Sequence, residues 1–322
     1  MTEALVAVVV LVALAVPHAL PLERVNPVAA TAVWLAALAL RALLALGLAL
    51  AALLLLPGTG LFATISGWSV HGFVGSLHVD LSGDPVAHLA ALSPPALVML
   101  AVAGFAASLA RGAFTLRRDL SRLLLGAGPA GSVVIADRQL LVAVPTFGRG
   151  RILLSQRALA ELDAAELETC LAHEHGHLRR RHRMLGVFGR CLRAIAWPIP
   201  GGAAARRGLL LSLERDADEY AVAETGKPLA LASAICKIAG ASALDGRGAT
   251  AMGAAGAGAP WARLDSLMEG GRRRGSRPVE RAVLAVAVVL VAMVACAAAG
   301  LALWVAHGAS PAALAAAITC PS

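Results

Sequence analysis

Two histidines four residues apart bracket a glutamate in the run His173-Glu174-His175-Gly176-His177. On a helix, positions i and i+4 share a face, so His173 and His177 can aim both imidazoles at one metal ion. Glu174 then stands where it can take a proton from a water on that metal. The chemistry this spacing predicts is hydrolysis by an activated water, the working core of a zinc peptidase. A hydrolytic zinc ion usually takes three protein ligands and keeps one position for water. The segment Leu213-Glu214-Arg215-Asp216-Ala217-Asp218-Glu219-Tyr220-Ala221 offers a third. Glu214 and Asp218 lie one turn apart on one helix face. Glu214 can complete the zinc site, and Asp218 can accept the second ring N–H of a histidine ligand and so fix its tautomer. The plainer alternatives are a merely His-rich stretch, with His175 and His182 close by, and an ordinary charged helix face, with Asp216 and Glu219 among the acids. The two segments occurring together favour the ligand reading.

The elements that must hold these residues belong to an apolar chain. Hydrophobic residues make up 58% of its 322 residues, against roughly 45–50% in soluble domains, and the mean hydropathy is +0.75. This predicts an α-helical membrane protein. Four apolar stretches could serve as spans, for which a helix needs about 20 apolar residues. The first is Ala4 to Leu20; its flank is acidic (Glu3), unlike the positive start of a signal peptide, so it reads as a retained helix. The second lies within Val28 to Leu56, where Arg41 interrupts it, so the span is placed at about Ala36 to Leu56 with Arg41 snorkelling to the near interface. A buried charge inside a bundle is the other reading of Arg41. The third and fourth are Pro95 to Leu109 and Ala282 to His307.

The formal charge is +8 and the sequence pI about 10.2. A basic chain can signal nucleic acid binding, but here the placement of the arginines points to orientation in a bilayer, and no direct nucleic acid binding is expected. Every Lys and Arg except Arg24 and Arg41 lies between Arg111 and Arg281. The positive-inside rule then puts both termini and the loop 57–94 outside and residues 111–281 in the cytoplasm. The predicted organisation is three spans in 1–110, a cytoplasmic domain in 111–281, a fourth span in 282–307 and a short external tail in 308–322. The preference for arginine over lysine fits a GC-rich bacterial genome, and the expected location is a bacterial inner membrane. The five cysteines show no paired spacing and read as free thiols, with Cys170, Cys191 and Cys236 in reducing cytosol.

Within the polar block, Ser132–Ala136, Leu140–Val144 and Arg151–Ser155 read as short strands. Asp163 and Glu166 form a capping-box pattern opening a helix through Leu178 that carries the histidines. Met184 to Pro200 is either an interfacial helix or a buried helix of the domain. Helices are expected over Ala203–Glu224 and Pro228–Ala241, and the Gly- and Ala-rich stretch Ala243–Pro260 as a mobile loop. The outer loop holds His71, His78, His88, Asp80 and Asp84 without ligand spacing, which reads as solvated side chains.

The run HEHGHLRRRH followed by ERDAD resembles the gluzincin membrane peptidases, which include the HtpX-type proteases and the BlaR/MecR-type receptor proteases. Residues Gly150–Ser155, the helix from Asp163 and Ala196–Pro200 share in the resemblance, which runs well over Val142–Val222 and only in layout beyond. It implies a mainly α zincin-type domain with a small β-sheet, zinc on His173, His177 and Glu214, Glu174 as general base and Asp218 in support. Three spans before the domain and one after resemble the BlaR/MecR type, whereas the HtpX type has two and two. In the BlaR/MecR type an external penicillin-binding sensor follows the last span. This chain stops at Ser322 and shows no SxxK nucleophile, so β-lactam acylation is not expected. The resemblance also implies a cytoplasmic transcriptional repressor as protein substrate.

The expected function is thus an integral-membrane zinc endopeptidase acting on a regulatory protein. The alternatives are an HtpX-like quality-control protease and a non-catalytic zinc receptor or scaffold, the latter disfavoured by Glu174, which metal binding alone does not need. Proteolysis within the lipid is disfavoured by Arg179, Arg180, Arg181 and Arg183 directly after the motif. The strand at Arg151–Ser155 is expected to pair with an extended substrate by strand addition.

Overall fold

The computed structural model describes residues 2–55, 85–137, 142–143, 151–244, 259–268 and 277–308. The chain is mostly helical. Helix α1 is Thr2–Ala19, α2 is Pro27–Leu55 and α3 is Pro85–Leu123. Four short strands follow: β1 Leu124–Ala127, β2 Val133–Ile135, β3 Val142–Ala143 and β4 Leu153–Ser155. Then come α4 Gln156–Glu161, α5 Ala164–Arg179, α6 His182–Ile195, α7 Gly202–Thr225, α8 Pro228–Leu244, α9 Ala259–Met268 and α10 Arg277–Gly308.

The sheet order is β1-β2-β4-β3, with β2 and β4 parallel and the outer pairs antiparallel. This corrects the strand-addition expectation. β4 lies between β2 and β3 with all three of its residues buried, so its backbone groups are already paired and an added strand would have to join β1 or β3. β1 was not anticipated. Its residues Leu124-Leu125-Gly126-Ala127 carry neither alternation nor a flanking turn signal on the helix side, and α3 runs straight into it. The same helix passes through the expected boundary at 110/111, because the one weak helix former between Ala110 and Arg118 is Gly112, and an isolated glycine does not end a helix.

Helix α5 begins as its capping box dictates. The Glu166 amide donates to Asp163 Oδ1 at 2.8 Å and the Asp163 amide to Glu166 Oε2 at 2.9 Å. Glu166 also receives Ser233 Oγ and Lys237 Nζ of α8, both at 2.6 Å, so the cap ties α8 to α5. Behind α5, Leu154, Ala158, Leu171, Leu231, Ile235 and Ile238 form one core. The expected helices at Ala203–Glu224 and Pro228–Ala241 are present with slightly wider bounds. Most of the expected loop Ala243–Pro260 lies outside the described residues, as do 56–84, with the outer-loop histidines His71 and His78, and the tail from 309.

Two further cores meet on α2. One joins Ala13 of α1, Val33 and Leu40 of α2, and Val283 and Leu290 of α10. The other joins Leu38 and Ala42 of α2 to Leu192 of α6 and Leu209 and Leu213 of α7. Where α7 crosses α2, Gly208 faces the Trp34 ring so closely that any Cβ would overlap it, which makes glycine a condition of that crossing. Among the described residues, two helices are long and apolar enough to cross a membrane, Pro27–Ala49 and Ala96–Thr115. They differ in cover: the first is 50% buried, the second 6%.

Arg41 does not snorkel. It is 1% exposed in the middle of an unbroken α2. It donates to the carbonyls of Leu14 (2.6 Å), Ala37 (2.9 Å) and Pro200 (3.0 Å) and meets His18 Nε2 at 3.1 Å. Backbone acceptors from three segments replace the water that an interface would have supplied, which is the condition for burying a guanidinium. Helix α6 is a packed helix of the domain on one face, through Gly189 and Leu192, and exposes Met184 and Phe188 on the other, with Trp197 exposed just beyond it.

Candidate metal centre

Helices α5 and α7 cross at Gly176, where a Cβ would come within 3.1–3.2 Å of the Tyr220 ring. The missing side chain lets the helices approach, and the approach brings Glu214 to the histidines. His173 Nε2 lies 3.1 Å from His177 Nε2 and 3.5 Å from Glu214 Oε2, and His177 Nε2 lies 3.7 Å from Glu214 Oε1. Two nitrogens each about 2.0–2.1 Å from one tetrahedral ion would lie about 3.3–3.4 Å apart, so the three ligand atoms already stand at the edges of such a tetrahedron. They are the one group of His, Cys, Asp or Glu side chains that could hold a metal among the described residues.

The donor chemistry fits as well. Glu214 Oε2 is buried and accepts no hydrogen bond, although Arg263 Nη1 stands 3.2 Å away in ion-pair range. Two imidazole nitrogens facing each other beside an unsatisfied carboxylate oxygen suit a borderline divalent ion such as zinc. Three carboxylates, Glu174, Glu214 and Asp218, surround the single guanidinium of Arg263 and raise its pKa, although burial by itself lowers it. A divalent cation held by these residues would balance that excess of negative charge.

Each histidine has a distinct support. His173 is 1% exposed, and its Nδ1 lies 2.9 Å from Asp218 Oδ1. Asp218 in turn receives Arg263 through two hydrogen bonds, Nη2 to Oδ1 at 2.6 Å and Nε to Oδ2 at 2.8 Å. Burial lowers the His173 pKa, but the Asp218 and Glu214 carboxylates beside the ring outweigh it and raise the group to about 9. Burial works against an ionised Glu214, yet His173 and the Arg263 guanidinium beside it hold it down to about 2. His177 has no such carboxylate on its second nitrogen, and burial leads its fall to about 3. Its Nδ1 lies 2.9 Å from His182 Nδ1, and His182 Nε2 lies 2.9 Å from Asp216 Oδ2. Asp216 closes the line by pairing with Arg180.

The structure therefore gathers His173, His177, Glu214 and Asp218 as the spacing requires, and buries Glu174 on the same turn of α5. His175 points outward and is exposed, outside the site. Sequence reasoning missed three residues. Arg263 lies on a short helix after an uninformative Gly- and Ala-rich stretch, 45 residues from Asp218, and no local signal could have found it. His182 and Asp216 were visible only as parts of a His-rich stretch and a charged face.

Residues 143–211 match the model of peptidase family M48, about a fifth of the chain. The matched segment runs from β3 into α7, contains His173 to His177, and stops short of Glu214. It supports a metallopeptidase. No curated protein and no solved structure matches the chain.

Proposed function

We propose that this chain is an integral-membrane zinc endopeptidase that hydrolyses peptide bonds of a regulatory protein on the cytoplasmic side of a bacterial inner membrane. The observation that carries the reading is the convergence of His173, His177 and Glu214, with ligand atoms 3.1–3.7 Å apart, beside a buried Glu174. When bound there, zinc supplies a Lewis acid and an acidified water. Glu174 accepts the proton of the attacking water and returns it to the leaving amine. Asp218 and Arg263 hold His173 and Glu214 in place, and His177 forms the rim at 15% exposure, where a peptide can enter.

The membrane part of the proposal takes the apolar stretches within α1, α2, α3 and α10 as four spans, with 111–281 as the cytoplasmic domain and both termini outside. Support comes from the arginine distribution and from uncovered apolar surface. Met99 and Leu100 of α3 are each 68% exposed and Val288 of α10 67%, patches that lipid covers without cost and water does not. A signalling substrate, such as a transcriptional repressor, is what the resemblance to the BlaR/MecR type implies for this site.

Proteolysis by the purified zinc-loaded protein in detergent, on casein and on its own chain, tests the reading. Cleavage is expected to vanish with Glu174→Gln while zinc stays bound, and to vanish with a chelator. Cleavage that survives Glu174→Gln would remove the glutamate from the mechanism. Zinc binding without any cleavage would leave a receptor or scaffold.

A further inference from the structure

His182 is the least expected polar residue in the molecule. On a continuous helix, positions 177 and 182 would point well apart, since five residues turn the helix by about 500°. Here α5 ends at Arg179, Arg181 takes a left-handed conformation at φ 55°, and α6 restarts at His182. That corner turns the His182 ring back against His177, with ring centroids 5.0 Å apart. The ring is 4% exposed and both of its nitrogens are engaged at 2.9 Å.

The roles of the protons follow from the ends of this line. His177 faces His173 and Glu214 with Nε2, so a metal there needs the lone pair of that nitrogen. The proton of the neutral ring must then sit on Nδ1 and be donated to His182 Nδ1. His182 therefore accepts on Nδ1, carries its own proton on Nε2, and donates it to Asp216 Oδ2. Asp216, acceptor only and paired with Arg180, fixes the direction of both bonds.

From this line, we infer that His182, held by Asp216, is a positioning residue for the metal centre: it fixes the tautomer and ring orientation of His177 from one imidazole away. The inference rests on the zinc reading above and assigns within it a support for the second histidine that neither Asp218 nor Arg263 supplies. Polar partners of this kind typically tune metal affinity about 10–100-fold.

The test measures zinc affinity by chelator competition, and the visible spectrum of the cobalt(II) form, on the full chain in detergent. His182→Phe fills the same space without the hydrogen bonds. His182→Gln carries an amide acceptor and donor spaced much like the two ring nitrogens. The expectation is zinc affinity weakened about 10–100-fold in His182→Phe with a changed cobalt spectrum, and within about threefold of the parent in His182→Gln. Asp216→Asn breaks the same line from its far end, keeps the shape, and is the variant to use if His182→Phe fails to fold; about a three- to tenfold loss is expected. Parent-like affinity and spectrum in His182→Phe, or in Asp216→Asn where it stands in, overturn the inference, as does a weaker site in His182→Gln than in His182→Phe, which would make the residue packing alone. Failure of the parent protein to bind zinc or cobalt, or binding indifferent to Glu214→Ala, would instead overturn the metal centre itself, and the inference with it.

Discussion

The two histidines of the centre are alike in sequence and unlike in surroundings. His173 is 1% exposed and touches its carboxylate directly, and that carboxylate is gripped by a guanidinium that is itself 1% exposed. His177 is 15% exposed and reaches its carboxylate through a second imidazole, ending at an arginine that is 39% exposed. The first arm is anchored in the dry crossing of α5, α7 and α9. The second lies at the rim, on the corner between α5 and α6. In a low-dielectric interior a broken ion pair strands a charge, whereas at the rim water takes over part of the lost interaction. The first arm should therefore decide whether the centre exists, and the second how tightly and in what geometry it holds its ion.

The sharpest way to break this comparison is Arg263→Met. It leaves Asp218 and Glu214 buried without their cation, and a loss of about 3–5 kcal/mol in unfolding free energy of the metal-free protein is expected. Denaturant unfolding measures it, and a loss below 1 kcal/mol would mean that water enters the supposedly dry arm. Next comes a direct contest between the arms: Asp218→Asn is expected to weaken zinc about 10–100-fold, more than Asp216→Asn does, because it acts without an intermediary. Equal effects by chelator competition would erase the asymmetry.

Gly176→Ala tests the crossing the arms share. Its Cβ would meet the Tyr220 ring within 3.1–3.2 Å and push α5 from α7, at a cost of about 1–3 kcal/mol, with weaker zinc binding because Glu214 retreats from both histidines. Thermal unfolding and zinc titration together read it.

The smallest effect lies at the start of α5, beneath both arms. Burial raises the Glu166 pKa, but hydrogen bonds from Lys237, Ser233 and the Asp163 amide outweigh it and leave the group lowered. A depressed carboxylate stabilises the fold above its unfolded pKa, about 4.3, and loses that contribution as pH falls through the lower folded value. Melting temperature should therefore fall with pH below about 4.3, and less steeply in Lys237→Met. An unchanged slope in Lys237→Met would remove Lys237 as the cause.

The sequence was most legible where chemistry and local geometry coincide. The i, i+4 spacings of His173 with His177 and of Glu214 with Asp218 needed only that each segment be helical, and the capping box at Asp163 supplied the start of the first helix. Reading failed where a residue's partner was far along the chain or round a corner. Arg41 looked like an intrusion in a span because its acceptors, the carbonyls of Leu14 and Pro200, belong to other segments. Arg151–Ser155 looked like an open strand because nothing in its own residues says that β2 and β3 pair with it on either side. His182 looked like one histidine too many because the left-handed corner at Arg181 has no glycine to announce it.

By itself, the sequence determined the candidate ligand types, their helical spacing, the glutamate beside them and the apolar segments, because those depend on contacts within a turn or two of one helix. Only the tertiary structure decided which carboxylate supports which histidine, that Arg263 binds Asp218 and Glu214 together, and that α2 is shared between two cores. Those outcomes are set by helix crossings, where a missing side chain such as that of Gly176 determines how close two segments come, and a crossing has no signature in the local pattern of either helix.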